Sequence, residues 1–381
     1  MQMQIAIRDY ISNHKEETLQ IIRDLCAIPA PSHFEHERAQ WCKAWLDKNC
    51  GKGAYIDEAL NVIFPMNCTG KNDLTVFAAH TDTVFPDREA MPYREDEEKI
   101  YSPGVSDNTA SVAVLLMTVK FLTAQNFAPE CGILFVCNSC EEGLGDLKGT
   151  KRLFSDFAGR IGRFISFDCN LNVVNDTCVG SHRYEVEVKT EGGHSYGAFG
   201  KENAIANLAK IACEIYKLEV PKKAGTRTTY NVGTIEGGTS VNTIAQNAKM
   251  LCEYRSDDAE CMDRMQKEFA RIFEEARSEK VQVGVTLVGD RPCGNIDRKK
   301  TEDMKQTVLP IIEDVIKEPV TFCGSSTDCN IPLSLGIAAI CIGVRSGGGD
   351  HTREEWVEKA SLVPGLEIGI RAAIAFGGGM L

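Results

Sequence analysis

Two glutamates stand side by side in Asn138-Ser139-Cys140-Glu141-Glu142-Gly143, directly after the apolar run 131–137. Adjacent carboxylates at the end of a buried segment are costly unless a cation or a proton compensates them, so the pair implies a metal site or acid/base chemistry. Taken alone it equally describes a solvated strand end. Other segments share the layout: His80-Thr81-Asp82 follows the apolar run 74–79, Asp168 follows 164–167, and His351 lies just after 338–344. Gly104-Val105-Ser106-Asp107-Asn108-Thr109 leads into an apolar stretch that starts near Ala110. Two histidines and three carboxylates suit zinc and are too many for one ion. Two ions about 3.5 to 4 Å apart would need a bridging carboxylate and a bridging water.

Such groups must be brought together by the elements that carry them. The runs 74–79, 131–137 and 164–167 read as buried strands, and 110–123 as a helix between the first two. Buried strands alternating with helices indicate an α/β sheet with helices on both faces, and ligands of such sheets bind outside the carboxyl ends of the strands. After residue 179 the texture changes. Residues 183–189 alternate polar and apolar; then come a helix at 202–218, strands at 228–234 and 248–254, a helix at 259–278 and a strand at 281–288. That order, β-α-β-β-α-β, is an α+β ferredoxin-like unit. From about residue 297 the α/β pattern resumes, with a helix at 305–316, strands at 320–322 and 338–344, and a helix at 360–376. The expectation is a domain built from 1–179 plus 293–381, interrupted by an inserted domain at 180–292.

Composition excludes several classes. The chain has 381 residues, 43% of them hydrophobic and 25% charged, and its net charge of −12 with pI near 5.2 argues against a nucleic-acid partner. Residues 1–24 read as an amphipathic helix rather than a signal peptide. No stretch is expected to reach the roughly 18 apolar residues of a membrane span, so no membrane partner and a cytoplasmic location are expected. The 16 cysteines lie mostly in apolar segments (Cys26, Cys131, Cys213, Cys252, Cys341), which fits buried free thiols in a reducing compartment. Cys137 and Cys140 form a C-x-x-C, but at a strand end, where neither redox nor zinc versions of that motif sit.

The chain resembles the co-catalytic zinc peptidase family of aminoacylases, acetylornithine deacetylase, succinyl-diaminopimelate desuccinylase, glutamate carboxypeptidase and peptidase T. His80-Thr81-Asp82-Thr83-Val84, Ser106-Asp107-Asn108, Glu141-Glu142-Gly143, Gly193-His194-Ser195 and His351-Thr352 occur in the family's order, from near the N-terminus to the last helix. The resemblance implies a mixed-sheet zinc-peptidase catalytic domain with the inserted ferredoxin-like segment as a lid and dimerisation domain. It implies two zinc ions, with cobalt or manganese as alternatives. Asp107 would bridge them, His80 and Asp168 would complete one, and Glu142 and His351 the other. Glu141 would be the general base, and Asp82 would orient the His80 ring. The Asp107–Asn108 peptide is expected to be cis, as in the family. His194 would donate a hydrogen bond to the oxyanion, often in a partner subunit, and Asn242 and Arg255 would bind the substrate carboxylate. Glycines 347, 348 and 349 would let backbone approach the substrate closely.

Duller explanations stand beside these roles. The histidines could be structural, Asp107 a helix cap, Asp168 the partner of Arg163, and Arg255 the partner of Asp257 or Asp258. His14, His33, His36 and His182 show no motif. A thiol at Cys140, beside the expected base, departs from many relatives and could tune that base or the metal preference. The expected activity is hydrolysis of an amide bond in a small carboxylate-bearing peptide, the alternative being removal of an N-acyl group from an amino acid. A homodimer through the inserted domain is implied. A non-catalytic binding protein would have lost ligands, and none is missing.

Overall fold

The computed structural model describes residues 2–294 and 298–379. Residue 1, and residue 297 where the α/β pattern was expected to resume, lie outside them. The chain divides into two compact units, Met1–Cys178 with Asn295–Leu381 and Val179–Gly294.

Strands of the first unit are apolar on both sides because two cores flank them. Every residue of Leu74–His80 is buried, and its side chains alternate: Phe77 and Ala79 join one core, Leu74, Val76 and Ala78 the other. Helices Gln2–Cys26, His36–Asn49, Ala110–Ala124, Arg298–Ile316 and Leu362–Phe376 fill the first core. The short helices Lys148–Asp156 and Asn330–Ser334 fill the second. Contrary to the expectation that no such stretch exists, Val105–Ala124 is long and apolar enough to cross a membrane. Its most apolar window is 89% buried inside the fold, so it is a helix apolar all round because it lies in the core.

Among the described residues the sheet has eight strands in the order Tyr55–Ile56, Val62–Met66, Gly132–Asn138, Leu74–His80, Ile161–Phe167, Ala338–Ile342, Val173–Cys178, Thr321–Ser325. Gly132–Asn138, Leu74–His80, Ile161–Phe167 and Ala338–Ile342 run parallel, while Val62–Met66 and Val173–Cys178 pair antiparallel to their neighbours in this group. The sheet is therefore mixed. Register sets His80 opposite Asn138 and Phe167 opposite Ile342, so the four parallel strands end together along one edge.

The second unit is an antiparallel sheet in the order Thr228–Gly237, Asn247–Ser256, Gly180–Lys189, Gln282–Arg291. Helices Ala204–Ile215 and Ala259–Glu275 pack on it around Val186, Leu208, Met250, Tyr254 and Phe269. Both helices start at a side-chain cap, Asn203 and Asp258, that accepts first-turn N–H groups. A two-residue ladder pairs Gly193–His194 with Thr243–Ile244.

All sixteen cysteines are free and eleven are buried; of those expected to be buried, Cys131 is only partly so and Cys213 is exposed, as is Cys323. Cys137 and Cys140 do not pair: the Cys140 thiol donates to Glu35 Oε1 at 3.2 Å.

Candidate metal centre

The ends of the parallel strands deliver the charged residues one by one. His80 is the last residue of its strand and is buried. Asp168 follows directly on Phe167, and Glu141 and Glu142 follow Asn138 by three and four residues; both glutamates are buried. The solvated-surface explanation of the pair is thus ruled out. Asp107 sits in a tight turn, Val105–Thr109, ahead of the Ala110–Ala124 helix, and the Asp107–Asn108 peptide is cis as the family resemblance implies. Asn108 Nδ2 donates to Phe167 O at 2.7 Å, which fastens that turn to the strand leading into Asp168. His351 is held at a left-handed φ of 65° in the loop after Ala338–Ile342.

The Asp107 carboxylate stands between two imidazoles. Its Oδ1 lies 3.0 Å from His80 Nε2 and its Oδ2 3.2 Å from His351 Nε2. His80 Nε2 is also 3.8 Å from Asp168 Oδ1, and His351 Nε2 is 3.3 Å from Glu142 Oε1. Among the described residues three sets of donor atoms each lie within 4.8 Å of one another: His80, Asp107 and Asp168; Asp107, Glu142 and His351; His80, Glu141 and Glu142. Neither the cap nor the ion-pair alternative holds. Thr109 takes the position before the helix, and Arg163 pairs with Asp73.

Charge explains what this arrangement is suited to hold. Burial, and then the Asp107 charge, push Asp168 up to about 8; burial, with the charges of Asp107 and Glu141, pushes Glu142 up to about 7. The Asp107 and Glu142 carboxylates beside it raise His351 to about 11. Burial disfavours the charged His80 ring, but Asp107, Asp168 and Asp82 outweigh it and lift its pKa well above the usual range. Glu142 Oε1 is buried and, among the described residues, accepts no hydrogen bond, at 3.3 Å from His351 Nε2. Imidazoles and carboxylates that crowd and raise one another's affinity for protons, with a buried oxygen left unmatched, fit divalent cations.

A second layer supports these groups. Asp82 accepts the backbone N–H of Glu141 and of Glu142, each at 2.9 Å, and the Ser32 hydroxyl at 2.7 Å, while its Oδ1 lies 3.4 Å from His80 Nδ1. Three residues that sequence reasoning missed complete it. Fully buried Arg38 donates to Thr81 O, Thr109 Oγ1 and Ile28 O. Asp328 accepts from Asn138 Nδ2 at 2.6 Å and from the Thr150 hydroxyl, and is pushed up to about 7 by burial and the Glu141 charge. Glu355 accepts three backbone N–H groups of the Asp107 turn. Only Glu355, four residues past His351, left a signal in its proximity to a motif. Cys140 belongs to none of the three donor sets. The glycines after the last strand are tight against their own chain: a β-carbon on Gly347 would lie 2.3 Å from Ser106 Oγ, and one on Gly348 3.0 Å from the Trp356 ring. Their smallness is required by this packing.

The remaining predicted residues lie in the second unit. His194 is exposed, its Nδ1 accepting N–H from Tyr196 and Gly197 at 3.3 Å. The ladder sets His194 opposite Thr243, and Asn242 O accepts the Ser195 N–H, so His194 and Asn242 are neighbours. Arg255 is near the other end of the strand Asn247–Ser256, about 25 Å along it at 3.3 Å per residue. Its guanidinium is held by Glu253, at 2.7 and 3.2 Å, and not by Asp257 or Asp258.

The fold and this centre define a metal-dependent peptidase or amidohydrolase. Residues 76–375 match the profile of Peptidase family M20/M25/M40, and the chain belongs to that family. Uncharacterized protein YqjE of Bacillus subtilis is 24% identical over 266 residues, 66% of this chain and 70% of that protein. Among solved structures, aminopeptidase PepT of Bacillus cereus superposes with TM-score 0.69 at 20% identity, covering 96% of this chain and 99% of PepT. YXEP of Bacillus subtilis, a dinuclear metal-binding peptidase of the M20 family, superposes with TM-score 0.63 at 13% identity, covering 96% and 99%. Both superpositions concern the fold.

Proposed function

We propose that this chain hydrolyses an amide bond in a small peptide bearing a free carboxylate, with two divalent cations, zinc first and cobalt or manganese as substitutes. The observation that carries this reading is the Asp107 carboxylate, whose two oxygens face His80 and His351 and so belong to two donor sets at once. His80, Asp107 and Asp168 would hold one cation, and Asp107, Glu142 and His351 the other. When bound, the cations would supply Lewis acidity toward the carbonyl oxygen and would acidify the attacking water. Glu141 takes the proton of the attacking water and returns it to the leaving amine. Asp82 fixes the His80 ring and the two glutamate N–H groups, so base and ligands keep one geometry. His194 as oxyanion donor, with Asn242 and Arg255 as carboxylate binders, follows the family pattern.

The spacing inside the second unit supports a homodimer. An extended tripeptide spans about 10 Å, whereas His194 and Arg255 are separated by most of a ten-residue strand. If both touch one small substrate, two chains must contribute them. Sedimentation should then give a dimer, and mixing inactive His194→Ala with inactive Arg255→Ala protein should restore part of the activity. A cytoplasmic setting belongs to the same reading and is testable by fractionation.

The deciding experiment is a panel of di- and tripeptides, amino- and carboxyl-blocked peptides and N-acyl amino acids, assayed with zinc, cobalt or manganese restored to the apo protein. Cleavage of free-carboxylate peptides supports the reading. Cleavage of N-acyl amino acids alone would replace it with a deacylase.

A further inference from the structure

We infer that Glu355 is the positioning residue for the bridging carboxylate: it clamps the backbone of the Asp107 turn so that Asp107 faces His351 and His80 together. This rests on the proposed dinuclear reading and deepens it. Glu355 is fully buried. Its Oε1 accepts the N–H of Ser106 at 2.7 Å and of Asp107 at 2.8 Å, and its Oε2 accepts that of Gly104 at 2.8 Å. Its own carbonyl accepts the Ser102 N–H at 3.1 Å, so side chain and backbone grip the same turn.

The segment that carries Glu355 also carries His351. Gly347–Gly348 and Trp356–Glu358 pair with each other, and Trp356–Glu358 pairs with Lys99–Tyr101 just before the turn. Between them a turn closed by Thr352 N–H and hydroxyl onto Gly349 O presents His351. One stretch therefore meets Asp107 twice, with Glu355 on its backbone N–H and His351 on its side chain. The distance between His351 and Asp107 is set by the same chain that orients Asp107.

A neutral acceptor could satisfy three N–H groups as well. A carboxylate here places a further buried acidic group beside Asp107 and Asp350, whose charges oppose its own, a cost that a purely structural role would disfavour. Charge-assisted hydrogen bonds are shorter and stronger than neutral ones, and a bridging ligand needs orientation more than local stability.

The test is titration of apo wild type, Glu355→Gln and Glu355→Asp with Zn2+ by calorimetry, and with Co2+ by visible absorption. In Glu355→Gln the amide NH2 must face an N–H donor. In Glu355→Asp the charge remains but is withdrawn by one methylene. We expect both variants to bind ions about 10- to 100-fold more weakly, with an altered cobalt spectrum, Gln more than Asp. Exposed Glu354→Gln should match wild type. A merely structural residue would lower the melting temperature and leave ion affinity and the cobalt spectrum of the folded protein unchanged. If Glu355→Gln does not fold, Glu355→Asp decides. Wild-type affinity and spectrum in a folded variant would overturn the inference. Wild type that binds fewer than two ions would overturn the dinuclear reading instead.

Discussion

Asp82 and Glu142 are joined by a hydrogen bond from the Glu142 backbone N–H to Asp82 Oδ2 at 2.9 Å, although 60 residues separate them in the chain. The other Asp82 oxygen takes the Glu141 N–H at 2.9 Å and lies 3.4 Å from His80 Nδ1. His80 Nδ1 also lies 3.1 Å from the Asp82 backbone carbonyl, so this one residue ties the imidazole at one strand end to both glutamates at the next. Burial opposes its charge, yet the bonds from His80, Ser32 and the Glu142 N–H hold its pKa below the usual carboxylate range.

Asp82→Asn should keep the fold and weaken the centre. The amide offers one acceptor where two N–H groups need two, so either Glu141 or Glu142 must shift. Divalent-ion affinity should fall by about 10- to 100-fold. Calorimetric titration checks this, and an unchanged affinity would mean that the Asp82 bonds are incidental.

Glu141→Gln removes a proton acceptor without changing shape. Turnover should drop by about 10²- to 10⁴-fold with metal content unchanged. Metal analysis beside the peptide assay separates the two. Loss of an ion together with activity would make Glu141 a ligand, as its place in a donor set with His80 and Glu142 allows.

Ion binding should release protons. In the ion-free protein at pH 7, Glu142 at about 7 is partly protonated and Asp168 at about 8 and His351 at about 11 hold protons, which ligands must shed. Affinity should therefore rise from pH 6 to 8, with release visible as a buffer-dependent calorimetric enthalpy. The linkage sign gives a second readout. Carboxylates whose folded pKa is raised favour the fold most at low pH and lose that contribution as pH rises toward 8. The ion-free protein should thus melt at a lower temperature at pH 8 than at pH 6, and the loaded protein should not follow it.

Much of the centre was legible because apolar runs end where function begins. His80, Asp168 and the Glu141-Glu142 pair each follow a buried strand, and the helix after Asp107 is apolar enough to be unmistakable. What escaped was long-range. Arg38 sits on a helix whose sequence reads as an ordinary polar face, and only the fold aims it at Thr81 and Thr109. Val173–Cys178 contains Asn175, Asp176 and Thr177 and becomes a strand through pairing with Thr321–Ser325 and Ala338–Ile342. Val62–Met66 contains Pro65, a poor strand residue, and is carried by its partner Gly132–Asn138. Gly347 looked like room for a substrate because nothing local reveals that Ser106 fills that space.

Gly347→Ala tests that last point. The added methyl would lie 2.3 Å from Ser106 Oγ and 2.6 Å from Trp356 O, and the second of these is backbone that cannot swing aside. Overpacking of this kind costs about 1 to 3 kcal/mol. The strain falls on the residue next to Asp107, so relief by moving the turn would disturb the bridging ligand. Chemical denaturation should show the stability loss, and ion titration should show weaker binding in the folded protein. If Gly347 served only to admit substrate, stability and ion affinity would match wild type and KM alone would rise.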